Sequence, residues 1–440
     1  MNEITVKNIY GQRFLCSCGK THRIDPQQIF YSENAMMNLG EALSAYTRGK
    51  RAAVIMDLRT REAAGKEASQ TLEHAGWKVC EYIIPDPFPG STPVCDDQTH
   101  DILMRQMEEV DIVLPVGSGV LSDLGKWVAY DPGLPFVCFA TAASMNGYTS
   151  ANVAATIKGM KGLLRARPPK AVFSSPSVLS QAPYELTTAG LGDVLAKSAS
   201  SADWRMNHVL FGDHFCERAV SLVSEIESLY LDHPEDIRDR KPEAMEALFH
   251  SLLLTGVAMT MAESSAPASG GEHLISHTLD TMSFLDGHPH DLHGRQVGIG
   301  TILCSEIYRR LLAIESPVFN QGISSIERDF WGMLADSVGK EYGEKMPRIH
   351  QAKEILSKGD AWDKLREEIH LYLRPAEEIK LCLKRAGGAF RAEDIGCSRE
   401  RLLSALLHAH EFRSRFTCLD IARMIGLLPR AASEVIEACL

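Results

Sequence analysis

A parallel-sheet α/β domain over residues 1–175, followed by an all-α domain over residues 176–440, is the architecture the sequence predicts. Between about residues 50 and 140, short β-rich runs alternate with helical patterns, the signature of parallel strands joined by helical crossovers. Beyond about residue 175 strands become hard to find and long amphipathic runs take over. With 440 residues, 45% of them apolar and 23% charged, the chain is long enough for two or three domains.

Ala52–Met56, Lys78–Ile84, Asp111–Val116 and Phe136–Ala140 read as strands. Arg61–Ala75, His100–Glu109 and Leu121–Tyr130 carry helical spacing between them, and the proline-rich Pro85–Pro93 suits a surface connection. In the second half, His214–Leu231, Ala244–Ala262 and Ser398–Leu407 read as helices. Pro183, Pro242, Pro347 and Pro375 should mark helix starts or breaks, because proline lacks the donor a helix interior needs.

A net charge of −11 argues against a general nucleic-acid or membrane-surface binder, since both need a positive field. No apolar run reaches the roughly 20 residues that span a bilayer. The nearest, Ala247–Ala262, is interrupted by His250, Ser251, Thr255 and Gly256 and reads as a buried helix. Met1–Lys20 has no apolar middle, so no signal peptide and a cytoplasmic protein are expected. Eleven cysteines, an odd number and mostly within apolar runs, fit reduced thiols better than a disulfide framework. Cys16, Cys18 and His22, in C-S-C-G-K-T-H, offer three zinc ligands, but at a tight spacing and without an evident fourth.

Gly117-Ser118-Gly119 lies between a strand and the helix Leu121–Tyr130, which carries Asp123 and Lys126. Glycines let backbone approach a phosphate, and a helix N-terminus offers unpaired N–H donors. A plain tight turn explains the same residues, since the full G-x-G-x-x-G pattern is absent. Asp57, at the end of Ala52–Met56, can accept from both hydroxyls of an adenosine ribose and repel a 2′-phosphate, which favours NAD over NADP. Capping of the Arg59-Thr60 turn is the competing explanation.

In the helical half, His273 and His277 are four residues apart and so share a helix face. His293 follows some 20 residues after His273, and Asp193, in G-L-G-D-V-L-A-K, stands at an expected helix start. One carboxylate and two imidazoles make a three-ligand divalent site with a position left for an oxygen to be polarised. Hydrogen-bonded core histidines are the alternative for each ring taken singly. His288 and His290, in a polar loop, read as surface residues.

Several motifs in order, Phe139–Ser150 (F-A-T-A-A-S-M-N-G-Y-T-S), Gly190–Lys197, Asp203-Trp204, Ser269–His273, and His293-Gly294 through Gly298, resemble the sn-glycerol-1-phosphate dehydrogenase family. That family is a branch of the superfamily of glycerol dehydrogenase, iron-containing alcohol dehydrogenases and dehydroquinate synthase. The resemblance extends from the opening C-x-C-G-K-x-H to the closing Arg413–Thr417, nearly the whole chain. It implies a dehydroquinate synthase-like fold, with a nucleotide-binding α/β domain beside a helical metal- and substrate-binding domain.

The resemblance places metal ligands at Asp193, His273 and His293, and substrate contacts at His277 and Asn146. Cofactor contacts fall at Asp57, at Gly117, Ser118, Gly119, Val120 and Leu121, and at Thr141, Ser144 and Ser150. It implies NAD as cofactor, with NADP the alternative, and one divalent ion: zinc first, with nickel, iron or manganese also suited to the donors. A small phosphorylated polyol as substrate, phospholipid or polyol metabolism, and a homo-oligomer, dimer or larger, are implied as well, without nucleic acid or membrane insertion. Arg295 and Lys197 are the cations expected for the substrate phosphate. Asn146 departs from the aspartate usual at its position, keeping an acceptor but losing charge. A glycerol or other polyol dehydrogenase, a dehydroquinate synthase-like enzyme, and an inactive NAD- and metal-binding homologue are the competing functions.

Overall fold

The computed structural model describes residues 8–224, 226–319 and 325–439. Ten strands are present among them: β1 (Arg13–Leu15), β2 (Thr21–Arg23), β3 (Gln28–Tyr31), β4 (Arg51–Met56), β5 (Lys78–Ile83), β6 (Ile112–Gly117), β7 (Cys138–Ala140), β8 (Asn152–Ile157), β9 (Met160–Arg165) and β10 (Ala171–Ser174). The longer helices include, in chain order, α1 (Lys66–His74), α2 (Asp97–Gln106), α3 (Gly119–Tyr130), α4 (Tyr184–Leu195), α5 (Lys197–Phe211), α6 (Pro242–Ala262), α7 (Gly271–Asp286) and α8 (His293–Leu312).

The chain forms two compact units, and they do not divide it at one point. The first takes Met1–Gly190 and Arg218–Ser265, the second Leu191–Glu217 and Ala266–Leu440. The expected single cut at residue 175 differs from this partition because α6 belongs with the sheet-bearing unit. Periodicity shows that a helix is buried but not which core it joins.

In the first unit six strands form one sheet in the order β3-β10-β7-β6-β4-β5, every neighbouring pair parallel. β6, β7 and β10 are buried at every position and β4 at all but its first, as expected for strands covered on both faces. Residues of β4 alternate between two cores: Ala52, Val54 and Met56 pack with Leu39, Leu72 and Trp77, while Ala53 and Ile55 pack with Leu103, Leu121 and Leu124. β5, at the edge, leaves half its positions exposed. From β4 the chain steps outward to β5 and returns on the other side of β4 as β6, so the order reverses between β4 and β6. Ligands of open α/β sheets bind at the carboxyl ends of strands beside such a reversal.

Two antiparallel hairpins, β1-β2 and β8-β9, lie outside this sheet. Within this unit α6 is long and apolar enough to cross a membrane, yet 83% of its apolar window is buried, as the interrupted Ala247–Ala262 run implied. Pro242 occupies its first turn.

The second unit is helical, and glycine permits its closest helix crossings. A Cβ on Gly192 would stand 2.1 Å from the Gly294 carbonyl oxygen, and one on Gly300 would stand 2.5 Å from that of Glu272. Backbones of α4 and α8, and of α7 and α8, therefore approach to distances that no other residue allows.

Two helix expectations are corrected. His214–Leu231 is not continuous; helices occupy Glu217–Ser224 and Ser228–Leu231. Pro347 neither starts nor breaks a helix but lies inside Ala335–Leu356, where Lys345, Ile349 and Ala352 are buried. Tertiary burial there outweighs the backbone bond that proline forfeits.

Candidate active site

Asp57, Gly117 and Thr141 stand at or just beyond the ends of β4, β6 and β7, three neighbouring parallel strands. All three therefore share the carboxyl edge of the sheet at the reversal. Ser118 makes no side-chain cap to the first turn of α3, so its leading N–H groups are left to an outside acceptor. A Cβ on Gly119 would touch only Met145, at 3.7 Å, so glycine leaves open a space that a side chain would partly fill. The turn fits a phosphate cradle on both counts.

Asp57 Oδ1 accepts from the Thr60 amide at 2.7 Å, and Oδ2 accepts from Arg59 Nη2 at 2.8 Å. It thus caps its turn in a reciprocal capping box. Arg59 Nε also donates to Oδ2, at 3.1 Å, so the spare acceptor capacity lies on Oδ1.

The segment carrying Ser144, Asn146 and Ser150 is held from two sides. Lys126, fully buried on α3, donates to the Gly147 and Asn152 carbonyls, each at 2.8 Å, and pairs with Asp123 at 3.1 Å. Asp123 in turn accepts from the Ala154 amide at 2.9 Å. On the other side the Thr149 hydroxyl donates to the Leu253 carbonyl at 2.5 Å, and a Cβ on Gly256 would stand 2.7 Å from the Asn146 carbonyl oxygen. Sequence reading placed Asp123 and Lys126 on the helix but found no task for them, because their partners are distant backbone atoms.

In the second unit Asp193, His273 and His293 converge: each offers a ligand atom, and these all lie within 4.8 Å of one another. Asp193 comes from the end of α4 and not from the helix start expected of it, His273 from the first turn of α7 and His293 from the first residue of α8. The glycine crossings described above bring these three helices together. Each imidazole is oriented by its other nitrogen: His273 Nδ1 lies 2.9 Å from Glu272 Oε1, and His293 Nδ1 lies 3.2 Å from the Ser276 hydroxyl. Such outward partners leave Nε2 as the ligand atom. His273 Nε2 stands 3.5 Å from Asp193 Oδ1.

Burial favours neutral His273, but the Asp193 and Glu272 carboxylates outweigh it and raise its pKa to about 9. A buried imidazole between two carboxylates calls for positive charge, which a divalent ion provides; the donor set fits the implied metal. His277, half-buried one turn further along α7, has its ring 5.4 Å from that of His293.

Asp203 sets the start of α7. It accepts from the Gly271 amide at 2.8 Å, the Cys418 amide at 2.7 Å and the Tyr308 hydroxyl. A Cβ on Gly270 would stand 2.4 Å from Asp203 Oδ2, so the close seat requires glycine. Burial, reinforced by Glu272, lifts the Asp203 carboxyl to about 7 despite these donors.

Lys197 is buried. Arg295, expected to meet the substrate phosphate, is instead committed to Asp291 at 2.8 Å and to the Asp394 carbonyl. Two residues beyond His293, it projects from a different face of the helix. His288 and His290 are exposed, as expected. Arg413 and Arg415 drew attention only as motif letters, yet both are depressed in pKa by burial, and in Arg415, at about 10, also by Arg413.

A parallel sheet with this cradle and a helical unit with converging Asp-His-His donors define a fold of the iron-containing alcohol dehydrogenase class. The model of that family, described as iron-containing alcohol dehydrogenase, matches residues 30–183. A probable glycerol dehydrogenase from Sinorhizobium meliloti 1021 superposes with a TM-score of 0.60 at 18% identity, over 93% of this chain and 98% of that one. Glycerol-1-phosphate dehydrogenase, NAD(P)+, from Bacillus licheniformis is 29% identical over 94% of this chain and 93% of its own length. The Bacillus velezensis protein of the same name is 30% identical over 84% of each. The chain belongs to the glycerol-1-phosphate dehydrogenase family.

Proposed function

We propose that this chain interconverts sn-glycerol 1-phosphate and dihydroxyacetone phosphate, passing a hydride between C2 and the nicotinamide of NAD(H), with NADP(H) a second cofactor. The Gly117–Leu121 turn takes the pyrophosphate, Asp57 the adenosine ribose, and Thr141, Ser144 and Ser150 further cofactor contacts. Asp193, His273 and His293 would hold one divalent ion, zinc before nickel or iron. Bound there, the ion supplies Lewis acidity toward a carbonyl or alkoxide oxygen.

The chain's own residues do the rest. Glu272 and Ser276 fix the tautomers of His273 and His293 by engaging Nδ1. His277 passes the proton to or from the C2 oxygen, or holds a neighbouring hydroxyl. Asn146 accepts a substrate hydroxyl without adding negative charge near a phosphate. For that phosphate, Arg413 and Arg415 are the candidates in place of Arg295: both are half-buried with lowered pKa values, and an anion beside them would favour their charged forms. Lys197 remains a second candidate.

The convergence of Asp193, His273 and His293 within 4.8 Å carries the proposal. Its test is an NADH assay on metal-reconstituted protein with both glycerol phosphate enantiomers and free glycerol. Turnover of sn-glycerol 1-phosphate alone is expected. Preference for the opposite enantiomer or for unphosphorylated glycerol would overturn it, the latter in favour of a polyol dehydrogenase.

A further inference from the structure

The first unit carries a second cluster of metal-binding side chains, unrelated to hydride transfer. β1 and β2 pair in register, Phe14 opposite His22, and the five residues between them fold back tightly. Cys16 N–H donates to the Lys20 carbonyl at 2.9 Å and Gly19 N–H to the Cys16 carbonyl at 3.0 Å, with Gly19 at φ +86°. That left-handed residue closes the turn and returns the chain toward Cys16 immediately after Cys18.

Cys16 and His22 are buried although their neighbours Leu15, Ser17, Thr21 and Arg23 are exposed. The imidazole of His22 packs edge-on against Phe14, ring centroids 5.6 Å apart, and its Nε2 lies 3.3 Å from Cys18 Sγ. A tetrahedral zinc, with Zn–S near 2.3 Å and Zn–N near 2.0 Å, sets sulfur and nitrogen about 3.5 Å apart, close to this spacing. Neither cysteine is in a disulfide. A hairpin with strands of three residues has almost no core of its own, the situation in which small elements rely on a metal staple.

We propose that this hairpin holds a structural zinc on Cys16, Cys18 and His22, whose ligand atoms lie within 4.8 Å of one another. Two thiolates and one imidazole form a soft donor set suited to zinc. Binding releases the thiol protons and involves no redox change. The proposal does not rest on the catalytic reading.

The test is zinc-edge X-ray absorption on the intact chain carrying Asp193→Asn, which is expected to empty the other metal site. One zinc per chain is expected, with two sulfurs at about 2.3 Å and a nitrogen at about 2.0 Å in its shell. Cys18→Ser should cost most of the bound zinc. In the chain without these substitutions, cobalt loading should give a thiolate-to-cobalt charge-transfer band that Asp193→Asn retains and Cys18→Ser loses. A shell of nitrogen and oxygen alone, zinc content unchanged by Cys18→Ser, or a Cys16–Cys18 disulfide in the purified protein would each overturn the assignment. Should Cys18→Ser fail to fold, the absorption spectrum of the Asp193→Asn chain still decides.

Discussion

Two carboxylates grip the ring nitrogens of His273 from opposite sides, Glu272 at Nδ1 and Asp193 near Nε2. Glu272 also accepts from the Gly270 amide at 2.6 Å, which fixes its own position. Replacing it by glutamine should keep the fold but weaken divalent-metal affinity by roughly 10–100-fold, the usual effect of losing an orienting partner. Calorimetric titration checks this, and unchanged affinity would deny Glu272 an orienting role.

Asp57 caps its turn, and in the proposed function it also binds the adenosine ribose; asparagine separates the two. Asparagine caps as well as aspartate, so Asp57→Asn should change stability by less than about 0.5 kcal/mol. With the charge gone, and Arg59 beside it, the ratio of kcat/KM for NAD over NADP should fall. An unchanged ratio would leave Asp57 with the cap alone.

Asp203 gives a pH signature. Its folded pKa of about 7 lies above the ordinary 3.8, so the folded chain holds a proton that the unfolded chain releases between those values. That contribution to stability is full below about pH 4 and lost as pH rises toward 7. Asp203→Asn should lower stability overall, because one carboxylate bond is lost, while flattening the slope over this window in urea titrations. A slope equal to that of the unsubstituted chain would contradict the assignment.

Among the elements, the buried pair Lys126–Asp123 ties the Ser144–Ser150 segment to α3. Lys126→Met leaves Asp123 buried without its cation and should cost about 3–5 kcal/mol in chemical unfolding. A loss below about 1 kcal/mol would show that the pair is dispensable. Gly192→Ala should draw α4 away from Gly294 and, through Asp193, reduce metal binding. Retention of full metal affinity would show that the crossing tolerates a side chain.

How much of this was legible in the sequence follows from the physics of each element. β4 and β6 were readable because strands covered on both faces are uninterrupted apolar runs. β9 was not, since Met160–Arg165 lacks both alternation and β-branched residues. β3 and β10, short and dependent on their neighbours, offered little local signal. His273 and His277 could be paired by helical spacing, Asp193 and His293 could be added to His273 by residue type and position along the chain, and the family resemblance falls on the same three. Glu272, Asp203 and Lys126 were invisible as actors, because their work is hydrogen bonding to backbone or to one adjacent ring.

At the scale of the molecule, the first unit recruits residues 218–265 from beyond the first stretch of the second. Composition could not reveal this, since α6 is as apolar as any helix of either core. Each unit has its own ligand in this account: the dinucleotide on the first, the active-site ion on the second. Either ligand at 100 times its dissociation constant should add about 2.7 kcal/mol to the stability of the form that binds it. Differential scanning fluorimetry should therefore show separate upward shifts with NADH and with divalent metal, the latter lost in Asp193→Asn.

Anomalous diffraction from crystals of the metal-loaded protein tests the central claim most directly. A peak is expected at about 2.0–2.2 Å from a carboxylate oxygen of Asp193 and from Nε2 of both His273 and His293. Loaded crystals with no peak among those three side chains would contradict it.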